Sequence, residues 1–325
     1  MKALRSLSTD QQVGLLFVIL FGLLTAVTLA AFFRSLREDR NEPAQWRHEM
    51  LKRELLAVWV AAVLFWLAWI SGAVGATLLF GVVSFLALRE FITLTHTTHG
   101  DHRSLILAFF LVLPLQYVLV AQQRFDLFSV FIPVYMFLVI PVVSALAGDP
   151  VRFLERTAKI QWGVMVTVYG LSHAPALLLL EFPHFENRGA FLLFFLVAVV
   201  GAAQVAQELL SRWLRRRPVA RQISRTFSFR AWLLGSLTAA VVGTLLFWIT
   251  PFKAGQALAM AFIAGASGIL GEFVMSALKK DAGVRYWGSR SSVTGAVGLL
   301  DRMAALCFAA PVFFHSVRWY FELEL

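Results

Sequence analysis

Apolar segments of about 20 residues follow one another along almost the whole chain, and a charged or turn-rich stretch bounds each of them. A helix that crosses the hydrocarbon core of a bilayer needs about 20 consecutive apolar residues. We therefore predict an all-α fold, a polytopic integral membrane protein with about ten transmembrane helices. The predicted spans are residues 12–33, 55–72, 74–88, 104–121, 127–147, 162–180, 190–210, 231–250, 255–278 and 303–321.

The composition excludes the main soluble classes. Hydrophobic residues make up 59% of the 325 residues and charged residues only 15%, whereas about 25% of the residues in a soluble domain are charged. A water-soluble fold cannot bury that much apolar surface, so a cytosolic enzyme and an isolated nucleic-acid-binding domain are excluded. Because the chain has a single cysteine, Cys307, it has no disulfide framework or thiolate metal cluster. Cys307 lies in an apolar run.

Lysine and arginine residues are distributed unequally between alternate loops. Of the 29, 23 fall in one set of loops and six on the opposite side. Because basic loops are retained on the cytoplasmic side, we predict cytoplasmic basic loops, non-cytoplasmic termini and a location in a bacterial inner (plasma) membrane. Topology thus explains the net charge of +10, and no nucleic-acid partner is expected. The basic loops are 34–54, 89–103, 148–161, 211–230 and 279–302.

The most informative polar stretch begins inside the ninth predicted span. Glu272 and Ser276 are one helical turn apart, and Lys279 and Lys280 follow on the same side. A carboxylate inside a span is a candidate functional group, and lysines at the membrane surface can receive phosphate groups. Structural roles stay open at this point: an ion pair for Glu272, and an ordinary basic flank for the two lysines.

This stretch resembles the C-terminal signature of the phosphatidate cytidylyltransferase (CDP-diacylglycerol synthase) family. That signature reads Ser-x-x-Lys-Arg, then Lys-Asp-x-Gly, and later Asp-Arg-x-Asp. Its spacing is kept over residues 276–288 and, after about two extra residues, over 294–302. Fainter likeness extends the resemblance to about residues 55–320, at 85–91 (the family's early helix, which ends in an acid), 148–150 and 162–163.

The resemblance implies a reaction and the residues that serve it. The family transfers a cytidylyl group from CTP to phosphatidate and releases pyrophosphate, with Mg²⁺ as the cofactor. The implied catalytic residues are Asp301, Glu272, Ser276 and Lys279. The implied substrate-binding residues are Lys280, Arg302, Gly298, Arg285, Ser224 and Arg225. The implied metal ligands are Glu272, Asp281 and Asp301.

The chain departs from the family pattern at residues that carry the chemistry. Gln204, Tyr286 and Ala304 stand where the pattern has carboxylates, and Glu272 replaces a shorter aspartate. In the loop after the seventh span Ser224 is kept, but Phe227 replaces the family's lysine and Arg230 its glutamate. Losing one transition-state contact typically costs about 10²–10³ in rate. We therefore expect a catalytically impaired member.

The loop between the seventh and eighth spans carries a cluster of arginines. Arginine binds phosphate with two parallel hydrogen bonds, and basic juxtamembrane clusters attract anionic lipids. The cluster therefore indicates either a lipid-headgroup site or an anchor that orients the protein in the membrane. The arginines are Arg212, Arg215, Arg216, Arg217, Arg221, Arg225 and Arg230.

Three hypotheses follow for the function. The first is a phosphatidate cytidylyltransferase-like protein of phospholipid metabolism that is catalytically impaired and acts in lipid binding or partner support. The second is an active CDP-diacylglycerol synthase with a shifted metal site, and the third a lipid or solute transporter. The expected partners are a phosphatidate-like membrane phospholipid, CTP if the protein is active, and a second copy of the chain or other lipid-synthesis enzymes.

The predicted organisation has three regions. Residues 1–54 form an N-terminal span and cytoplasmic loop, 55–190 a first transmembrane bundle, and 191–325 the cytidylyltransferase-like region. Two histidines lie within predicted spans: we expect His173 to be a satisfied buried polar group and His315 to lie at the membrane interface.

Overall fold

The computed structural model describes residues 9–37, 59, 62–63, 66, 70–93, 97–180, 182, 189–214, 218–283 and 298–321, and all regular structure in these residues is helical. The chain divides into two compact units, residues 1–72 and 73–325. The first contains α1 (Thr9–Arg37). The second begins within α2 (Gly72–Thr93) and continues with α3 (His99–Ala121), α4 (Phe125–Ala145), α5 (153–179), α6 (Gly189–Leu214), α7 (Phe229–Leu245), α8 (Ala254–Asp281) and α9 (Leu299–Tyr320).

Six of these helices are long and apolar enough to cross a membrane, namely α2, α3, α4, α6, α8 and α9. They confirm the predicted class, an all-α polytopic membrane protein. The shorter helix α7 is also apolar, and most of the predicted span 55–72 lies outside the described residues. The count of ten spans and the orientation of the termini stay predictions.

Helices α3, α4 and α5 each contain one widened, π-helical segment. These segments are Ala108–Val112, Phe131–Met136 and Val164–Gly170. A proline lies within or shortly after each one, and proline both lacks an amide hydrogen and clashes with the carbonyl of the preceding turn. The hydrogen-bond register therefore changes locally instead of continuing as a regular α-helix. The prolines are Pro114, Pro133 and Pro175.

Helices α6, α7, α8 and α9 pack against one another, and α5 packs against α9. Small residues permit the closest approaches, as is common in membrane bundles. A Cβ atom added to Gly271 of α8 would lie 2.4 Å from the Cβ of Phe308 on α9, and one added to Gly265 would lie 2.6 Å from the Cβ of Ala239 on α7. This close packing fixes the end of α8 beside the beginning of α9.

A buried arginine holds the loop between α4 and α5 in place. The Arg156 guanidinium is 5% exposed and bonds to Asp101 Oδ1 at 3.0 Å and to Asp149 Oδ2 at 2.6 Å. The pKa of Asp149 lies below its ordinary value, because the backbone amide of Val151 donates to its carboxylate and Arg156 pairs with it. The cluster ties the first turn of α3 to α5.

Candidate functional site

The end of α8 and the beginning of α9 form the centre of the candidate site. Lys279, in the last turn of α8, donates from its Nζ to Oδ1 of Asp301 in the first turn of α9. The lysine side chain is 23% exposed and that of Asp301 11%. Two predicted catalytic residues, 22 positions apart in the chain, are therefore joined in one partly buried ion pair.

Glu272 lies further inside α8 and is held by α6. Its Oε2 accepts a hydrogen bond of 3.1 Å from Nε2 of Gln204, one of the residues that stand where the family pattern has a carboxylate. An amide beside a carboxylate makes a hydrogen bond, whereas two carboxylates at that distance would repel each other unless a cation or proton lay between them. The replacement at position 204 therefore gives Glu272 a protein partner in the absence of any ion.

Glu90 is a residue of this site that is missing from the site residues implied by the sequence motif. Its side chain is 8% exposed, and its Oε2 accepts a 3.2 Å hydrogen bond from the backbone amide of Leu300, in the first turn of α9. Asp301 lies close enough for its charge to act on that of Glu90. The other carboxylate oxygen, Oε1, has no hydrogen-bond partner within the described residues. In the sequence, the only feature that points to Glu90 is that it is an acid at the end of an apolar helix.

The loop before α7 is anchored against α8. Phe227 stacks on Phe273 with ring centroids 4.2 Å apart, so the residue that replaces a family lysine is part of an apolar contact next to Glu272. The Ser224 hydroxyl accepts from the backbone amide of Phe227 at 3.2 Å, and Gln207 donates to the Thr226 carbonyl at 3.2 Å. Ser224 therefore shapes a turn of the loop.

The remaining predicted residues take different positions. Ser276 and Arg302 are half-buried, Gly298 is buried at the residue before α9, and Lys280, Asp281 and Arg225 are exposed. Arg285 and Tyr286 lie outside the described residues.

The predicted metal ligands Glu272, Asp281 and Asp301 are not brought together. Glu272 and Asp281 are nine residues apart on α8, which corresponds to about 13 Å along the helix axis, too far for one ion. Within the described residues no three histidine, cysteine or acidic side chains form a group that could hold a metal. Mg²⁺ usually keeps waters and needs one or two carboxylates plus substrate phosphates. Here Asp301 is paired with a lysine and Glu272 with an amide, so these residues do not make a self-contained Mg²⁺ site.

The comparison with known families decides the classification. The sequence model of the cytidylyltransferase family matches residues 51–320. The chain belongs to this family. The match confirms the resemblance seen in the C-terminal motif and supports a CDP-diacylglycerol synthase-like protein. Among curated proteins, the chain is 36% identical over 269 residues to the uncharacterized protein YnbB of Escherichia coli K12, covering 81% of this chain and 86% of that protein.

Proposed function

We propose that the protein is a phosphatidate cytidylyltransferase-like membrane protein that binds a phosphorylated lipid headgroup and has lost most of the family's catalytic capacity. The observation that carries this proposal is that Asp301 and Glu272 both have protein partners. Asp301 is paired with Lys279 and Glu272 with the amide of Gln204. The two acids that would serve phosphoryl-type transfer therefore have protein partners, while the chain keeps basic residues at the family's lysine and arginine positions, Lys279, Lys280 and Arg302.

The binding role follows from the charges at the junction of α8 and α9. Lys279, Lys280 and Arg302 lie within the last turn of α8 or the first turn of α9. A phosphate monoester carries up to two negative charges and can compete with the Asp301 carboxylate for the Lys279 ammonium. Charge-assisted hydrogen bonds of this type are about twice as strong as neutral ones.

The reduced catalytic capacity follows from the replaced acids. Cytidylyl transfer requires in-line positioning of the reacting groups and compensation of the triphosphate charge. Gln204 and Ala304 contribute no charge, and Phe227 is engaged in an aromatic stack instead of offering a cation to CTP. Since several groups of one catalytic unit are replaced, we expect turnover to be negligible.

A second candidate, an active transferase with a shifted site, is favoured by Glu90. This buried acid stands beside Asp301 and offers one carboxylate oxygen without a hydrogen-bond partner within the described residues. If the second candidate is right, CTP should bind in a Mg²⁺-dependent manner, and the variant Asp301→Ala should abolish that binding.

The test measures binding and turnover on the same preparation. The full chain, purified in detergent, is mixed with phosphatidate micelles, labelled CTP and Mg²⁺, beside the Asp301→Ala variant and an active member of the family. We expect phosphatidate to bind without formation of labelled CDP-diacylglycerol. Turnover that disappears in Asp301→Ala would overturn the proposed impairment, and absence of phosphatidate binding would overturn the proposed binding role.

A restoration experiment tests the explanation of the impairment. The triple variant Gln204→Asp, Tyr286→Asp and Ala304→Asp returns acids to three positions of the family pattern. We expect it to stay inactive, because the lysine and glutamate of the family's loop before α7 are absent too. Robust turnover in the triple variant would show that the acids alone account for the loss.

A further inference from the structure

Two histidines from different helices meet well away from the junction of α8 and α9. His173 of α5 is fully buried and His315 of α9 half-buried. Their Nε2 atoms are 3.2 Å apart. His315 follows Asp301 by 14 residues on the same helix, which corresponds to about 21 Å along its axis. The histidine pair is therefore separate from the candidate headgroup site.

Hydrogen bonding around the pair shows which nitrogen atoms carry lone pairs. Nδ1 of His173 is 2.7 Å from the backbone carbonyl oxygen of Tyr169. Since a carbonyl can only accept, Nδ1 is the protonated nitrogen, and in the neutral ring Nε2 then carries a lone pair. That lone pair faces His315.

A tyrosine hydroxyl completes the cluster. Oη of Tyr169 is 3.4 Å from Nε2 of His315, so this nitrogen faces both Tyr169 and His173. If it donates to His173, the Tyr169 hydroxyl hydrogen has no acceptor among these three groups. If it accepts from Tyr169, two imidazole lone pairs face each other. Hydrogen bonds among these three groups alone therefore cannot satisfy all three in either tautomer of His315.

We propose that His173, His315 and Tyr169 bind a divalent transition-metal ion, with Zn²⁺ as the best fit. Zn²⁺ binds imidazole nitrogens at about 2.0–2.1 Å in tetrahedral geometry, which places two ligand atoms about 3.3 Å apart. The observed separation of 3.2 Å between the two Nε2 atoms matches this distance. The phenol oxygen supplies a third donor, and water would take the fourth position.

The surroundings hold the ligands as a metal site requires. A metal-bound histidine normally donates from its other nitrogen to a carbonyl or carboxylate, and His173 donates in this way to Tyr169. The ring centroids of Phe128 and Phe314 lie 4.6 Å and 5.2 Å from the centroid of the His173 imidazole. These contacts restrict rotation of the imidazole. Tyr169 lies in the π-helical segment of α5, and such segments are frequent at functional sites.

Arg318 is the one nearby charge that acts against a cation at His315 among the described residues. It lies one turn beyond His315, and its Nη2 bonds to Oδ1 of Asp126 at 2.9 Å, so a carboxylate offsets part of the guanidinium charge. His315 and Tyr169 are both half-buried, so two of the three proposed ligands are partly exposed.

Metal binding to the full chain tests the site directly. The detergent-purified protein, with any affinity tag removed, is stripped with a chelator and titrated with Zn²⁺ against a chromophoric competitor. Co²⁺, titrated separately, reports tetrahedral coordination through its visible absorption. We expect one Zn²⁺ per chain at this site and the absorption of tetrahedral Co²⁺.

Two variants and two control variants make the test specific. His315→Gln and His173→Phe each remove an imidazole ligand. We expect each histidine variant to weaken Zn²⁺ binding by at least about tenfold, the size of effect seen when even an outer-shell partner is lost. Because His315 is half-buried, His315→Gln keeps the test valid if His173→Phe does not fold. His99→Ala and His102→Ala change exposed histidines and should leave binding unchanged.

Two results would overturn the proposal. One is the absence of tight Zn²⁺ binding to the unmodified chain, and the other is equal affinity in His315→Gln and in the two controls. Either would show that the histidines form only a hydrogen-bonded pair.

Discussion

Replacing Asp301 by asparagine should strengthen phosphatidate binding. In the structure the Lys279 ammonium is already engaged by the Asp301 carboxylate, so an incoming phosphate has to displace it. Asparagine keeps the size of the side chain and removes the competing charge. An active transferase, in which the same aspartate serves the reaction, would respond in the opposite direction.

The exposure of the ion pair sets the size of the effect. Exposed ion pairs contribute about 0–1 kcal/mol, and this pair, at 23% and 11% exposed, belongs at the upper end of that range. Releasing about 1 kcal/mol raises affinity about fivefold, since each 1.4 kcal/mol is tenfold. The converse variant, Lys279→Ala, removes a hydrogen bond to a charged group worth about 1.5–3 kcal/mol. It should weaken binding about 10- to 150-fold.

The assay measures the affinity of the purified full chain for a short-chain phosphatidate in neutral detergent micelles, with phosphatidylcholine as the blank. Lys253→Ala is the matched control for the lysine, because it removes the same charge at the opposite end of α8. Asp281→Asn is the control for the aspartate, since this residue is exposed at the last residue of α8. Weaker phosphatidate binding by Asp301→Asn than by the unmodified chain would refute the competition between carboxylate and phosphate.

Three further predictions concern the packing, the cap of α9 and the acid side of the pH range. Gly170→Ala would place a Cβ 2.3 Å from the Cys307 carbonyl oxygen and should lower the free energy of unfolding by about 1–3 kcal/mol through overpacking. The control Gly201→Ala, whose Cβ meets nothing within 4 Å, should leave the unfolding temperature in detergent unchanged or raise it. Glu90→Ala removes the acceptor for the Leu300 amide and should lower the free energy of unfolding by about 0.5–2 kcal/mol. Glu90→Gln keeps an acceptor, so its loss of stability should be smaller. Equal losses for the two variants in denaturant titrations would contradict the capping role. Because the pKa of Asp149 is lowered in the folded protein, its contribution to stability is present above the ordinary aspartate pKa of about 3.9 and is lost as pH falls through the lowered value. Asp149→Asn should therefore reduce thermal stability at neutral pH and flatten its decline in acid, and an unchanged acid profile would exclude the ion pair as its cause.

Local patterns in the sequence were sufficient to predict the helices and part of the site. The apolar run 74–88 predicts most of α2, and 255–278 predicts α8 within a few residues, because a span is set by local length and hydropathy. The motif spacing predicts that Lys279 and Asp301 serve one site, and the structure joins them in an ion pair.

Contacts between distant segments could not be predicted in this way. The bond from Leu300 to Glu90 spans 210 residues and that between His173 and His315 spans 142. Neither pairing leaves a periodic trace in the sequence, because both depend on how the helices pack. The prediction of a satisfied buried polar group at His173 anticipated its burial but not its partner.

The π-helical segment Val164–Gly170 determines how the histidine pair responds to a change in chain length. A widened turn holds about one residue more than an α-helical turn of 3.6 residues. Because the wider turn absorbs that residue, deleting one residue within the segment would let α5 run as a regular α-helix with little rotation of its two ends relative to each other. A deletion in the α-helical turns Phe153–Gly163 would instead rotate His173 by about 100° relative to the start of α5. The segment is therefore the part of α5 in which the chain can lose a residue at the smallest cost to the histidine pair.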